Sequence, residues 1–135
     1  MNAWVNDTGF GQQIGTLTAD NQRITEVIHL KHGTGAIHAD CSLLVSDAET
    51  ANGNLPTPNH QVSLLLYNAY GLEGEAGTNC YNAGSTNQAL LAKSKAERAK
   101  AMIEIQSSLK MIEQIMKSTV STTTTTNPNS GSIFG

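Results

Sequence analysis

From residue 87 onward, large apolar residues return every three or four positions: Met102, Ile105, Leu109, Ile112, Met116 and Val120, with Leu91, Ala99, Ile103 and Ile115 widening the stripe. That spacing predicts an amphipathic helix over residues 87–120. Glu97, Glu104 and Glu113 pair with Lys93, Lys100 and Lys117 at four-residue intervals on the side expected to face water. Upstream, Val62, Leu65, Leu66, Ala69, Leu72, Ala76, Cys80 and Ala83 keep a rough helical register over residues 61–92. Gly71, Gly74, Gly77 and Gly84 interrupt it. Each glycine costs a helix about 1 kcal/mol relative to Ala, so such a helix needs another backbone close to it. Residues 51–59 separate this segment from the one before it, because Asn52-Gly53, Pro56 and Pro58 cannot sit in a helix interior.

The earlier third is patterned more weakly. Ile37, Cys41, Leu44 and Ala48 predict a helix over residues 36–50. Asp20 reads as the N-cap of a short helix with Ile24, Val27 and Ile28 on one face, ended by Gly33 and Gly35. The β-branched run Ile24–His29 reads equally as a strand. Residues 1–17 hold Gly9, Gly11 and Gly15 among polar residues, with Trp4, Val5, Phe10, Ile14 and Leu17 as anchors, and are expected to form an irregular arm. Residues 121–135, with five consecutive threonines, are expected to be a flexible tail whose Ile133 and Phe134 can dock on a neighbour. The expected fold class is mainly α: long amphipathic helices in a hairpin or bent rod, an irregular N-terminal arm over 1–44, a helical assembly domain over 45–120 and the tail.

Composition sharpens this picture. The 135 residues suit one domain, and with 14% charged and 4% aromatic residues the core buries little area per residue. Association with further copies would supply the missing burial. The net charge of −3 gives no footing for nucleic acid. Its distribution is uneven: residues 1–92 carry eight acids against two bases, a charge of −6, and residues 93–135 carry six bases against three acids, +3. One region attracts the other, within a subunit or between subunits. No apolar run approaches a membrane span, the N-terminus has no signal core, and the expected location is cytoplasmic. There Cys41 and Cys80 would remain thiols, read as small buried apolar residues.

Candidate chemistry is thin. Gly71-Leu72-Glu73-Gly74-Glu75-Ala76-Gly77 has the glycine spacing of a phosphate loop, but Glu73 and Glu75 inside it repel phosphate. Close lateral packing of helices explains the glycines better. Glu73 and Glu75, two apart, point to different faces and make a poor acid–base pair. His29, His32, His38 and His60 lack the Cys, Asp or Glu spacing that completes a metal site. Neither an enzyme, a metal nor a cofactor is expected. The same histidines, with Glu73 and Glu75, are the candidates for sensing pH at a packing interface.

The order Val45-Ser46-Asp47-Ala48, Thr50, Asn52, Leu66-Tyr67, Asn82-Ala83 and Asn87-Gln88, followed by a long amphipathic helix, resembles the RebB-like or "killing trait" family of R-body subunits. The resemblance runs from Val45 to Val120. It departs at residues 54–58, where the family has an Ala-Pro-rich link, and in the 44 residues that precede it. The resemblance implies a structural subunit that polymerises with itself and with paralogous subunits in the bacterial cytoplasm. The polymer is a coiled ribbon that extends, in some types on acidification, and disrupts a host membrane after lysis; membrane contact is then through the polymer alone. A subunit of another phage-like or secretion-related filament would share the same features. The residues expected at the seam and the assembly contacts are Leu66, Tyr67, Gly71, Gly74, Gly77, Asn82, Gln88, Met102, Ile105, Leu109, Ile112 and Met116. Of these, Gly71, Gly74 and Gly77 are expected to face a neighbouring subunit.

Overall fold

The computed structural model describes residues 1–126, with side chains through residue 119. Five helices are among the described residues: α1 (Asn2–Thr8), α2 (Phe10–His29), α3 (Thr34–Asn52), α4 (His60–Ala83) and α5 (Gln88–Thr126). The chain is mainly α. Each of the long helices buries a line of residues at alternating steps of three and four. In α3 these are Ile37, Cys41, Leu44, Ala48 and Ala51; in α4, Val62, Leu66, Ala69, Glu73, Ala76, Cys80 and Ala83. This is the spacing with which helices pack side by side in bundles. Short connections turn the chain back on itself, so α2 packs on α3, α3 on α4 and α4 on α5, while α5 meets α2 over a short stretch.

The segment expected as an irregular arm is instead helical. Phe10, Leu17, Ile24 and Val27 are all buried on one side of α2, while Gly11 and Gly15 lie on its exposed side. The helix therefore tolerates its two glycines because its apolar face is packed, and packing outweighs propensity. The strand reading of Ile24–His29 fails for the same reason. Gly9, in the left-handed region at φ 65°, ends α1 and starts α2. Trp4 packs on Phe10 with ring centroids 5.1 Å apart, and its Nε1 donates to the carbonyl of Asn54, 3.0 Å away. That bond ties the N-terminus to the turn between α3 and α4.

The proline-containing break falls where the pattern places it. Within it Thr57 is buried and its amide donates to Ser63 Oγ at 2.8 Å, while Asn59 Oδ1 caps α4 by accepting from the Val62 amide at 3.0 Å. The last helix runs past Val120 to Thr126, longer than expected; Ile133 and Phe134 lie outside the described residues.

Cys41 and Cys80 form a disulfide between α3 and α4, where two thiols were expected. The helices approach closely enough there to bring the two Cα atoms to 5.9 Å, inside disulfide reach. Gly77 makes that approach possible. A Cβ at this position would lie 2.7 Å from Val45 Cγ2 and 2.9 Å from the Cys41 carbonyl oxygen. Gly77→Ala should therefore cost about 1–3 kcal/mol by forcing the helices apart. Urea unfolding measures it, and a variant as stable as wild type would show that the α3–α4 spacing is soft.

Candidate functional site

Two features of the bundle concern function: a polar cluster in its interior and a groove on its surface. The cluster is built from α2, α3, α4 and α5. Glu73 occupies a core position of α4 with no exposure at all, and Asn21 Nδ2 donates to its Oε2 at 2.6 Å. Arg98, a core position of α5, is 5% exposed; its Nη1 donates to the Asn21 carbonyl at 3.3 Å and to Thr25 Oγ1 at 3.0 Å. Next to Asn21, Asp20 is 2% exposed, accepts from Arg23 Nη1 at 3.1 Å and faces Asp47 of α3.

Burial decides the protonation of this cluster. It pushes the Glu73 carboxyl up to about 7; the Asn21 amide and the positive charge of Arg98 oppose the rise, and the negative charge of Asp20 adds to it. Asp20 is likewise raised to about 7, first by burial and then by Asp47, with Arg23 opposing. Burial lowers Arg98, and Glu73 opposes that shift. Asp20 Oδ2, Glu73 Oε1 and Arg98 Nε have no hydrogen-bond partner among the described residues. An unpartnered buried carboxylate oxygen is costly when charged, so a proton near neutrality is the cheaper solution.

The surface groove runs between α3 and α4, has a volume of about 720 Å³, and is lined by Ala48, Glu49, Tyr67, Gly71, Gly74 and Glu75 among others. Tyr67 is 61% exposed. Tyr70 also lines the groove; it is buried, and its hydroxyl has no partner among the described residues.

The sequence-expected contact residues divide between these two environments and the core. Tyr67, Gly71 and Gly74 line the groove. Asn82 and Gln88 are exposed near the α4–α5 turn, Met102 and Met116 are half-buried, and Leu109 is 39% exposed. Leu66, Ile105 and Ile112 are buried inside the chain, and Gly77 faces α3 of its own molecule, so these four have no surface to offer a neighbour. The six candidates for pH sensing separate in the same way. Glu73 is in the core and Glu75 on the surface; His29, His32 and His60 are exposed; His38 stacks on Tyr81 with centroids 4.0 Å apart.

Asp20 and Arg98 escape a reading by hydrophobic pattern because they are polar residues at core positions, and Asn21 and Asp47 because they are half-buried polar residues beside the core. Arg98 had a signal: Leu91, Ser94, Arg98, Ala101, Ile105, Ser108 and Ile112 keep steps of three and four. Asp20 reads as a cap in the sequence yet lies in the middle of α2.

Among the described residues, no three His, Cys, Asp or Glu side chains converge as metal ligands. No helix among the described residues is long and apolar enough to cross a membrane. Comparison of the chain with protein-family models, curated proteins and solved structures gives no match.

Proposed function

We propose that this chain is a non-catalytic structural subunit that polymerises with its own copies and with paralogous subunits, an R-body-type ribbon component whose helix packing responds to pH. The observation that carries this reading is the position of its strongly shifted carboxyls. Asp20 and Glu73 lie between helices in the interior rather than in the surface groove, so a proton gained or lost there acts on how α2, α4 and α5 pack. In a polymer such a change is repeated in every subunit. Exposed Tyr67 and Ile103 add apolar surface for contacts between subunits. The Cys41–Cys80 bridge supports a working life that includes an oxidising compartment, as for an inclusion built in a bacterial cytoplasm and released into a host compartment on lysis.

Negative-stain microscopy and sedimentation of the purified chain, alone and co-expressed with paralogues, at pH 8 and pH 5 test this. Ribbons or sheets whose curvature differs between the two conditions are expected. Glu73→Gln imitates the protonated carboxyl and should move the transition to higher pH. A discrete monomer at both pH values, with and without paralogues, would overturn the proposal.

A further inference from the structure

The outer face of α5 has the chemistry opposite to that of the α3–α4 groove. Ala92, Ala96, Ala99, Ile103 and Lys110 follow one another at helical steps on the side of α5 away from α4, and all are exposed. Ile103, 64% exposed, is the one large apolar side chain in a row of alanines. Lys93 and Lys100, both exposed, flank that row, while the glutamates four residues after them, Glu97 and Glu104, are half-buried and Glu97 accepts from Asn79. The groove presents Glu49 and Glu75, and no Lys or Arg lines it.

The glycines of the groove point the same way. Gly71 and Gly74 are helical, and a Cβ on either would meet nothing within 4 Å. Among the described residues nothing needs glycine there, although each weakens α4 by about 1 kcal/mol relative to Ala. Gly77, whose missing Cβ admits α3, shows what an internal reason looks like. At Gly71 and Gly74 the open space belongs to the groove, beside exposed Tyr67 and the hydroxyl of buried Tyr70, which has no partner among the described residues.

Resting on the self-assembly reading above, we propose that the α3–α4 groove of one copy receives the outer face of α5 from a second copy of this chain. Ile103 then lies over Gly71 and Gly74, and Lys93 and Lys100 lie against Glu49 and Glu75. The two surfaces share no residue. The contact is therefore heterologous: each copy has one groove and one α5 face free for the next, which gives an open polymer rather than a closed dimer. Opposite charges set the register and speed the encounter, so assembly weakens as salt is raised.

Two defective variants test the contact. Ile103→Asp spoils the α5 face and leaves the groove intact; Glu49→Lys with Glu75→Lys does the reverse. All three positions are on the surface, and circular dichroism checks that each variant keeps its helices. Under conditions where wild type polymerises, each variant alone should remain monomeric. An equimolar mixture should give a 1:1 heterodimer in sedimentation, because one intact groove and one intact face remain. Lys93→Glu with Lys100→Glu, added to the groove variant, should restore polymers. A photoreactive side chain at position 67 should cross-link to residues 92–110 of another copy.

Variants that polymerise like wild type, or monomeric variants that fail to pair on mixing, overturn this contact and leave the structural-subunit reading standing. Cross-links to residues 127–135 of the same chain, or to another protein, also overturn it. A wild-type chain that never assembles, alone or with paralogues, removes the reading on which the contact rests.

Discussion

Replacing Cys41 and Cys80 together by Ala is expected to lower the unfolding free energy by about 4 kcal/mol, the chain-entropy estimate for a closed loop of about 40 residues. The bridge spans a sequence separation of 39 and links α3 to α4 across the proline-containing turn. Without it, the unfolded chain regains the freedom of that loop. For a chain of this size the melting temperature should fall by more than about 10 °C. Both cysteines have no exposed surface, so a reductant reaches the bridge only when the α3–α4 seam opens. Thermal melts of wild type with and without dithiothreitol, beside the double variant, measure the effect. Equal midpoints for all three would show that the bridge adds no stability and that close packing at Gly77 holds the helices unaided.

The helices with bulky apolar stripes were legible in the sequence, and the finer placement of their faces was not. In α5 the large residues Met102, Leu109 and Met116 predict the buried line, yet that line runs through Leu91, Ser94, Arg98, Ala101, Ile105, Ser108 and Ile112. Small residues take the innermost positions because α4 lies close. Ser94 Oγ donates to the Ala76 carbonyl at 2.8 Å, and Ser108 Oγ donates back to the Ile105 carbonyl at 2.7 Å, so both hydroxyls are satisfied in the core. Residue volume thus misplaces the face of α5 by part of a turn. The helix itself and its antiparallel partner are still found.

In α2 the error has the opposite origin. Glycines at 11 and 15 lower local propensity, and only a partner helix reveals that Phe10, Leu17, Ile24 and Val27 lie on one packed side. The disulfide depends on a meeting of α3 and α4 that no spacing in the sequence encodes. Glu73 was singled out, with Glu75, for its place in a glycine-rich stretch, as a candidate for sensing pH at a packing interface. Its burial follows instead from its core position in α4, four residues after Ala69 and three before Ala76. The opposed charge of residues 1–92 and 93–135 was visible from composition, whereas which of those charges are exposed needed the packing.

The pH dependence of stability should reveal what the interior cluster does, and Arg98→Met should expose it most strongly. Asp20 and Glu73 have folded values of about 7 against ordinary values of 3.8 and 4.5. Because both are raised, the folded state holds more protons than the unfolded state across this interval. Their contribution to stability is greatest below the ordinary carboxylate range and is lost as pH rises through about 7. Wild type should therefore lose stability between pH 5 and pH 8, with a limiting slope of about 1.4 kcal/mol per pH unit for each group. Glu73→Gln keeps an oxygen to accept from Asn21, so it should match wild type at pH 5 and exceed it at pH 8. Adding Asp20→Asn should flatten the curve. Arg98→Met should cost about 3 kcal/mol or more at pH 8, where Glu73 is charged and loses its neighbouring cation, and clearly less at pH 5. Urea unfolding at the two pH values reads all four chains. A Glu73→Gln variant with the slope of wild type would place the pH response elsewhere in the molecule. The expected pattern would mean that acidification strengthens the packing of α2 with α4 and α5 through protons held inside the fold.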